Sequence, residues 1–165
     1  MNRLIPAFFV VVLIISGTCS SADAQVSAMD SLTTLLTKAT DTLKVKTFIN
    51  IGDIYEEQDN QGQALSNYFE ALKIAEVIQN KEWLFQSLKA VAHFYEHLHQ
   101  NDLALEYALK AQKIAEQQNN KQNLYDIYDL LGGFIYFNQQ NYNKAFEYGE
   151  KMMRIAEESK DKSKS

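Results

Sequence analysis

One stretch of this chain is written three times, and that repetition limits the fold more than any single motif. Residues 52–76 read GDIYEEQDNQGQALSNYFEALKIAE, residues 92–116 read AHFYEHLHQNDLALEYALKAQKIAE, and residues 133–157 read GFIYFNQQNYNKAFEYGEKMMRIAE. Each copy opens on a small residue, places Tyr three positions on and Ala twelve positions on, and closes on Ile-Ala-Glu. Tyr recurs at 55, 95 and 136, a spacing of 40 and then 41 residues. A unit of this length cannot bury its apolar face alone, so successive units stack and shelter one another. The repetition predicts an all-α solenoid of antiparallel helical hairpins.

Each unit divides into two helices with apolar residues on one face. In the first, Phe48, Ile51, Gly52, Ile54 and Tyr55 mark helix A, and Ala64, Leu65, Tyr68, Ala71, Leu72, Ile74, Ala75 and Ile78 mark helix B, with a turn at 59–62 between them. The second unit repeats this with Leu88, Val91, Ala92, Phe94 and Tyr95, a turn at 100–102, then Ala104, Ala108, Ala111, Ile114 and Ala115. The third offers Leu131, Gly133, Ile135 and Tyr136, a turn at 140–141, then Ala145, Tyr148, Met152, Ile155 and Ala156. Gly133 is assigned to the slot of Gly52 and Ala92 because that keeps twelve residues to the Ala of helix B. A preceding helix at 27–39, with Thr40 and Asp41 as its stop, is expected to cover the open end. The expected layout is a capping segment at 25–44, units at 45–84, 85–125 and 126–159, and a polar tail at 160–165, about seven helices in all. Phe146, Met152 and Met153 are left uncovered on the last helix, which suits a longer array, self-association or a frayed end.

Residues 1–24 read differently. Arg3 precedes an apolar run at 4–15, too short for a bilayer span of about 20 residues, and Ala22-Asp23-Ala24 follows. This is the pattern of a secretory signal cleaved after Ala24, so the mature chain is expected to be exported, periplasmic or secreted, with no membrane span. Cleavage removes Cys19 and Pro6, the only cysteine and proline, so packing alone must stabilise the mature chain. It also removes Arg3 and Asp23, one charge of each sign, and leaves the net charge at −5. A mildly acidic domain of mixed sign is not expected to bind nucleic acid or anionic membrane.

The motif resembles the tetratricopeptide repeat. Ile51-Gly52, Tyr55, Ala64, Tyr68 and Ala71 match its pattern, as do Val91-Ala92, Tyr95, Ala104 and Ala111, and the third copy matches from Gly133 to Ala145 with Tyr142 and Tyr148. The usual unit is about 34 residues; these are longer and lack its terminal Pro. The resemblance implies a right-handed solenoid that holds a protein or peptide on the inner curve lined by the A helices. The layout of signal, Asp30-Ser31-Leu32, residues 39–45 and long repeats is also similar to the exported region of bacterial repeat-containing sensor histidine kinases. The alternative function is therefore a sensor region separated from its signalling domain.

The residues expected to line the groove are Asp53, Glu56 and Glu57 in the first unit, Lys89, His93, Glu96 and His97 in the second, and Phe134, Phe137 and Asn138 in the third. They run from acidic through histidine-rich to aromatic, which suits a partner with basic residues at one end and apolar ones at the other. His93-Phe94-Tyr95-Glu96-His97 also reads H-x-x-E-H, a zinc-peptidase pattern. Two His at i and i+4 can share a metal, but catalysis needs a further protein ligand and none is positioned by the sequence. Phe94 and Tyr95 are already explained as core. The chain is expected to be no enzyme, with no cofactor and no catalytic or metal residues; a zinc hydrolase is the remote alternative. Histidines beside Glu96 could also titrate near neutrality and make binding pH-dependent.

Overall fold

The computed structural model describes residues 40–162, and side chains through residue 159. The expected signal and the helix at 27–39 lie outside the described residues. Six helices make up the rest: α1 (Asp41–Glu57), α2 (Gln61–Val77), α3 (Lys81–His97), α4 (Asn101–Gln118), α5 (Lys121–Asp129) and α6 (Tyr142–Lys162). Helix α5 runs on into a π-helical segment, Leu130–Tyr136. No strand occurs among the described residues, and none of their helices is long and apolar enough to cross a membrane. The helices pack in consecutive pairs: α1 on α2, α3 on α4, and α5 with its π-helical extension on α6. Along one side, α1 also touches α3, and α3 touches the π-helical segment.

The connections explain why the helices end where they do. Asp59, Gln79, His99, Asn119 and Gln140 all have left-handed backbone, with φ between 48° and 58°. Their numbers are 20, 20, 20 and 21 apart, so the chain repeats helix by helix at half the period of the sequence motif. After most of these residues the next N–H reaches back five positions, as from Asn60 to Tyr55, Gln100 to Tyr95 and Asn141 to Tyr136, at 2.8–2.9 Å. That bond satisfies a carbonyl left open by the finished helix. The residue making it then begins the next helix. Asn60, Asn80 and Asn120 each accept a backbone N–H of the first turn through the side chain, and Asn141 does so from Lys144 at 3.3 Å.

These caps set where the helices begin. Helices α1, α3 and α5 begin at Asp41, Lys81 and Lys121, so the divisions at 44/45, 84/85 and 125/126 fall inside helices. Thr40 and Asp41 open α1, with Asp41 in its first turn where the helix end attracts negative charge. Gln61 and Gly62 belong to α2, and Asn101 and Asp102 to α4, rather than to turns. Helix α6 continues to Lys162, into the expected tail.

Packing between helices relies on small residues. Ala64, Ala71 and Ala75 of α2 and Ala104, Ala108, Ala111 and Ala115 of α4 are fully buried. At Gly52 an added Cβ would lie 2.5 Å from Cε1 of Tyr68, so only Gly lets that ring lie against α1. In the second pair the counterpart of Tyr68 is Ala108, and there Ala92 has room for its methyl group. In the third pair the slot belongs to Gly132, not Gly133. Gly132 is buried, and a Cβ on it would come within 2.7 Å of Tyr148 Cβ and 3.1 Å of the Ala145 carbonyl oxygen. Gly133 is exposed and would meet only the Asp129 carboxylate. Counted from Thr40, Asn80 and Asn120, the residues Gly52, Ala92 and Gly132 are each twelve positions on. The extra residue of the third unit thus falls between Gly132 and Tyr136, and the helix absorbs it as a π turn. Beyond it the register is restored: Tyr136 stacks on Tyr148 at 5.5 Å as Tyr95 stacks on Tyr107 at 5.7 Å. On α6, Phe146 and Met153 are exposed, whereas Met152 packs against the core.

Candidate functional site

Gly52 also decides what lies at the surface of α1. With no side chain there, Tyr68 crosses from α2 and places its hydroxyl 2.8 Å from Asp53 Oδ1 and 2.7 Å from Glu56 Oε2. The Tyr68 hydroxyl is thus the donor that faces both carboxylates. Burial pushes the Asp53 carboxyl above its ordinary value; the Tyr68 hydrogen bond opposes this, Glu56 and Glu57 add to it, and His93 opposes it. Burial and the bonds to Glu56 and Asp53 also push the Tyr68 phenol upward, so it stays a donor.

Glu56 continues the chain of contacts onto α3. Its Oε1 lies 2.5 Å from Nδ1 of His97. Nε2 of His97 in turn faces Glu96 Oε2 at 3.9 Å. The side chain of Glu96 is only 8 % exposed, and its Oε1 accepts from Asn138 Nδ2 at 3.1 Å. His93 lies one turn back on α3, its ring 5.3 Å from that of His97. Burial lowers its tendency to take a proton, His97 and Lys89 add to that, and Glu96 and Glu56 work against it. His93, Glu96 and His97 bring donor atoms within 4.8 Å of one another, the described group best able to hold a metal.

The seam between α1 and α3 opens into a cleft of about 590 Å³. Ile49 and Ala90 give it apolar surface; Asp53, Glu57, Gln86, Lys89 and His93 give it polar groups. A second hollow of about 380 Å³ continues the seam past Ile49 and Gln86 to Lys46, Asn50, Glu82 and Trp83. The next seam, between α3 and the third pair, is bridged instead. Asn123 donates to Glu82 at 2.8 Å, Lys89 to Asp126 at 3.0 Å, and Asn138 to Glu96 at 3.1 Å. The Phe134 ring leans on His93 at 6.2 Å.

Of the residues singled out in the sequence, Asp53, Glu56, Glu57, Lys89, His93 and His97 line the one cleft. Glu96, Phe134, Phe137 and Asn138 are not among its lining residues. Glu96 is buried under Asn138, Phe134 covers His93, and Phe137, the counterpart of Glu96, rests on Tyr142 at 5.6 Å. The acidic and histidine portions come together; the aromatic portion folds onto its neighbours. Sequence reasoning missed Ile49, Gln86, Ala90 and Tyr68. Ile49 lies one turn before Asp53, and Gln86 and Ala90 lie on the face of His93, so helical spacing could have found them. Tyr68 had no such local signal and is brought in only through Gly52. No protein-family model matches the chain, and no curated protein does.

Proposed function

We propose that the chain is an exported tetratricopeptide-like scaffold that binds a peptide or protein segment along the seam between α1 and α3. In this reading the three helix pairs are antiparallel hairpins stacked as a right-handed solenoid, and the A helices α1, α3 and α5 form the inner surface. The short connections and the run of contacts from α1 to α3 to the π-helical segment support it.

The observation that carries the binding reading is the cleft itself. It joins an apolar strip, Ile49 and Ala90, to a rim of Asp53, Glu56 and Glu57 on one side and the imidazoles of His93 and His97 on the other. Such a combination suits an extended segment that offers an apolar anchor and a Lys or Arg. The net charge of −5 favours the approach of a basic partner. Its counterpart seam is bridged by side chains and offers no equivalent strip.

The test is selection of peptides from a random library on the immobilised chain, with binders re-measured on a Glu57→Ala, Gln86→Ala double variant. Both residues line the cleft, and the side-chain bond that Gln86 makes, to Glu82 at 2.8 Å, stays within α3. Enriched peptides should carry a basic residue beside an apolar one and lose at least about tenfold in affinity on the variant, or about 1.4 kcal/mol. Binders that hold the variant as tightly as the parent chain would place recognition elsewhere.

A further inference from the structure

We propose that His93, Glu96 and His97 form a three-ligand site for a borderline divalent cation of the zinc class, held in shape by Glu56 and Asn138. This stands apart from the peptide-binding reading, because the metal alone is the probe. The three ligands lie at i, i+3 and i+4 of α3, one face of a single helix. Their donor atoms fall within 4.8 Å of one another.

The surrounding contacts are what lift this above a chance cluster. His97 presents Nδ1 to Glu56 Oε1 at 2.5 Å, and the neutral tautomer that donates from Nδ1 carries its lone pair on Nε2. That nitrogen faces Glu96 Oε2 at 3.9 Å. Two donors on a tetrahedral zinc ion at about 2.0–2.1 Å stand roughly 3.4 Å apart, so small side-chain rotations close the site. The other oxygen of Glu96 is fixed by Asn138, and the other oxygen of Glu56 by the Tyr68 hydroxyl. A ligating histidine backed by a carboxylate, and a ligating carboxylate backed by an amide, are the outer contacts that metal sites use to aim their ligands. They arrive here from separate parts of the chain: Glu56 from α1 and Asn138 from beyond the π-helical segment.

The donor set also specifies the ion. Two imidazoles and a single carboxylate favour Zn²⁺, Co²⁺ or Ni²⁺ over Mg²⁺ and Ca²⁺, which want oxygen alone. Three protein ligands leave a coordination position for water or for a donor from a partner. The side chain of His97 is 57 % exposed, so that position is reachable from solvent.

The experiment is calorimetric titration of the untagged, chelator-stripped full chain with ZnCl₂, run beside MgCl₂, with melting temperature read in parallel. One zinc per chain should bind, melting temperature should rise until the site is full, and magnesium should give neither response. His93→Gln and His97→Gln should each abolish stoichiometric binding, whereas His99→Gln should leave it unchanged. Glu56→Gln, which touches no ion directly, should weaken binding by roughly 10–100-fold. Metal-free melting of each variant separates loss of the site from loss of the fold. The proposal is overturned by the absence of zinc binding, by equal binding of magnesium, or by His93→Gln or His97→Gln binding zinc as the parent does.

Discussion

The two seams that α3 makes with its neighbours share one bridge, Glu56 to His97 and Glu96 to Asn138, and differ along the rest of their length. Toward α1 the facing side chains at 49, 53 and 57 are Ile, Asp and Glu, and the seam stays open as a cleft of about 590 Å³. Toward the third pair, Glu82, Lys89 and Glu96 each meet a partner on the far side, and the seam is bridged along its length. What differs is reach and complementarity: Lys89 can touch Asp126, whereas its counterpart Ile49 can touch nothing polar. Similar units can therefore leave one junction partly open and bridge another along its length.

The largest effects should come from the contacts that set helix spacing. Gly132→Ala would drive a Cβ against Tyr148 Cβ and the Ala145 backbone, so a loss of about 3 kcal/mol, the upper part of the overpacking range, is expected in urea unfolding. Gly52→Ala should cost somewhat less, because it meets the Tyr68 ring and no backbone. Gly133→Ala should be close to neutral or stabilising, since Ala is the better helix former. Equal losses at 132 and 133 would break the assignment of the π turn.

Next come the bridges. Asn123 is buried and donates to the Glu82 carboxylate, and Asn123→Ala should lower stability by about 2 kcal/mol. Lys89→Ala should cost at most about 1 kcal/mol, because the Lys89–Asp126 pair is partly open to water. In the open seam, Glu57→Ala should change stability by no more than about 0.5 kcal/mol. A Glu57 variant as destabilised as Asn123→Ala would mean that the α1–α3 seam is structural after all.

The smallest effect concerns pH. Folded His93 holds its proton less tightly than the ordinary value of 6.5, so near and below that pH the unfolded chain binds more protons. Stability should then fall as pH is lowered through this window. Asp53 acts in the opposite sense further down: its raised value means the folded state keeps a proton above 3.8, and stability contributed there is lost as pH rises. Melting temperatures between pH 7.5 and 5.5 should therefore decline, and His93→Gln should flatten the decline.

The helices were legible because Tyr55, Tyr95 and Tyr136 keep one spacing and the buried alanines keep another. Their starts were not, because Asn60, Asn80 and Asn120 close one helix and open the next, and polar residues around them look like turn on either side. Gly133 fits the fixed count of twelve residues to Ala145, and the π turn adds the one residue that moves the slot to Gly132. In the site, Asp53, Glu56, Glu57 and His93 could be placed on one face by spacing alone. That Glu96 is buried could not, since the amide that covers it lies 42 residues away in sequence.

The division of labour between the two seams is tested most directly by amide resonance mapping of the isotopically labelled chain with a library-selected peptide. The account predicts shifts gathered at Ile49, Asp53, Glu57, Gln86 and Ala90, with Asn123, Asp126 and Asn138 unmoved. Shifts centred on the bridged seam or on α6, with the α1–α3 cleft silent, would contradict it.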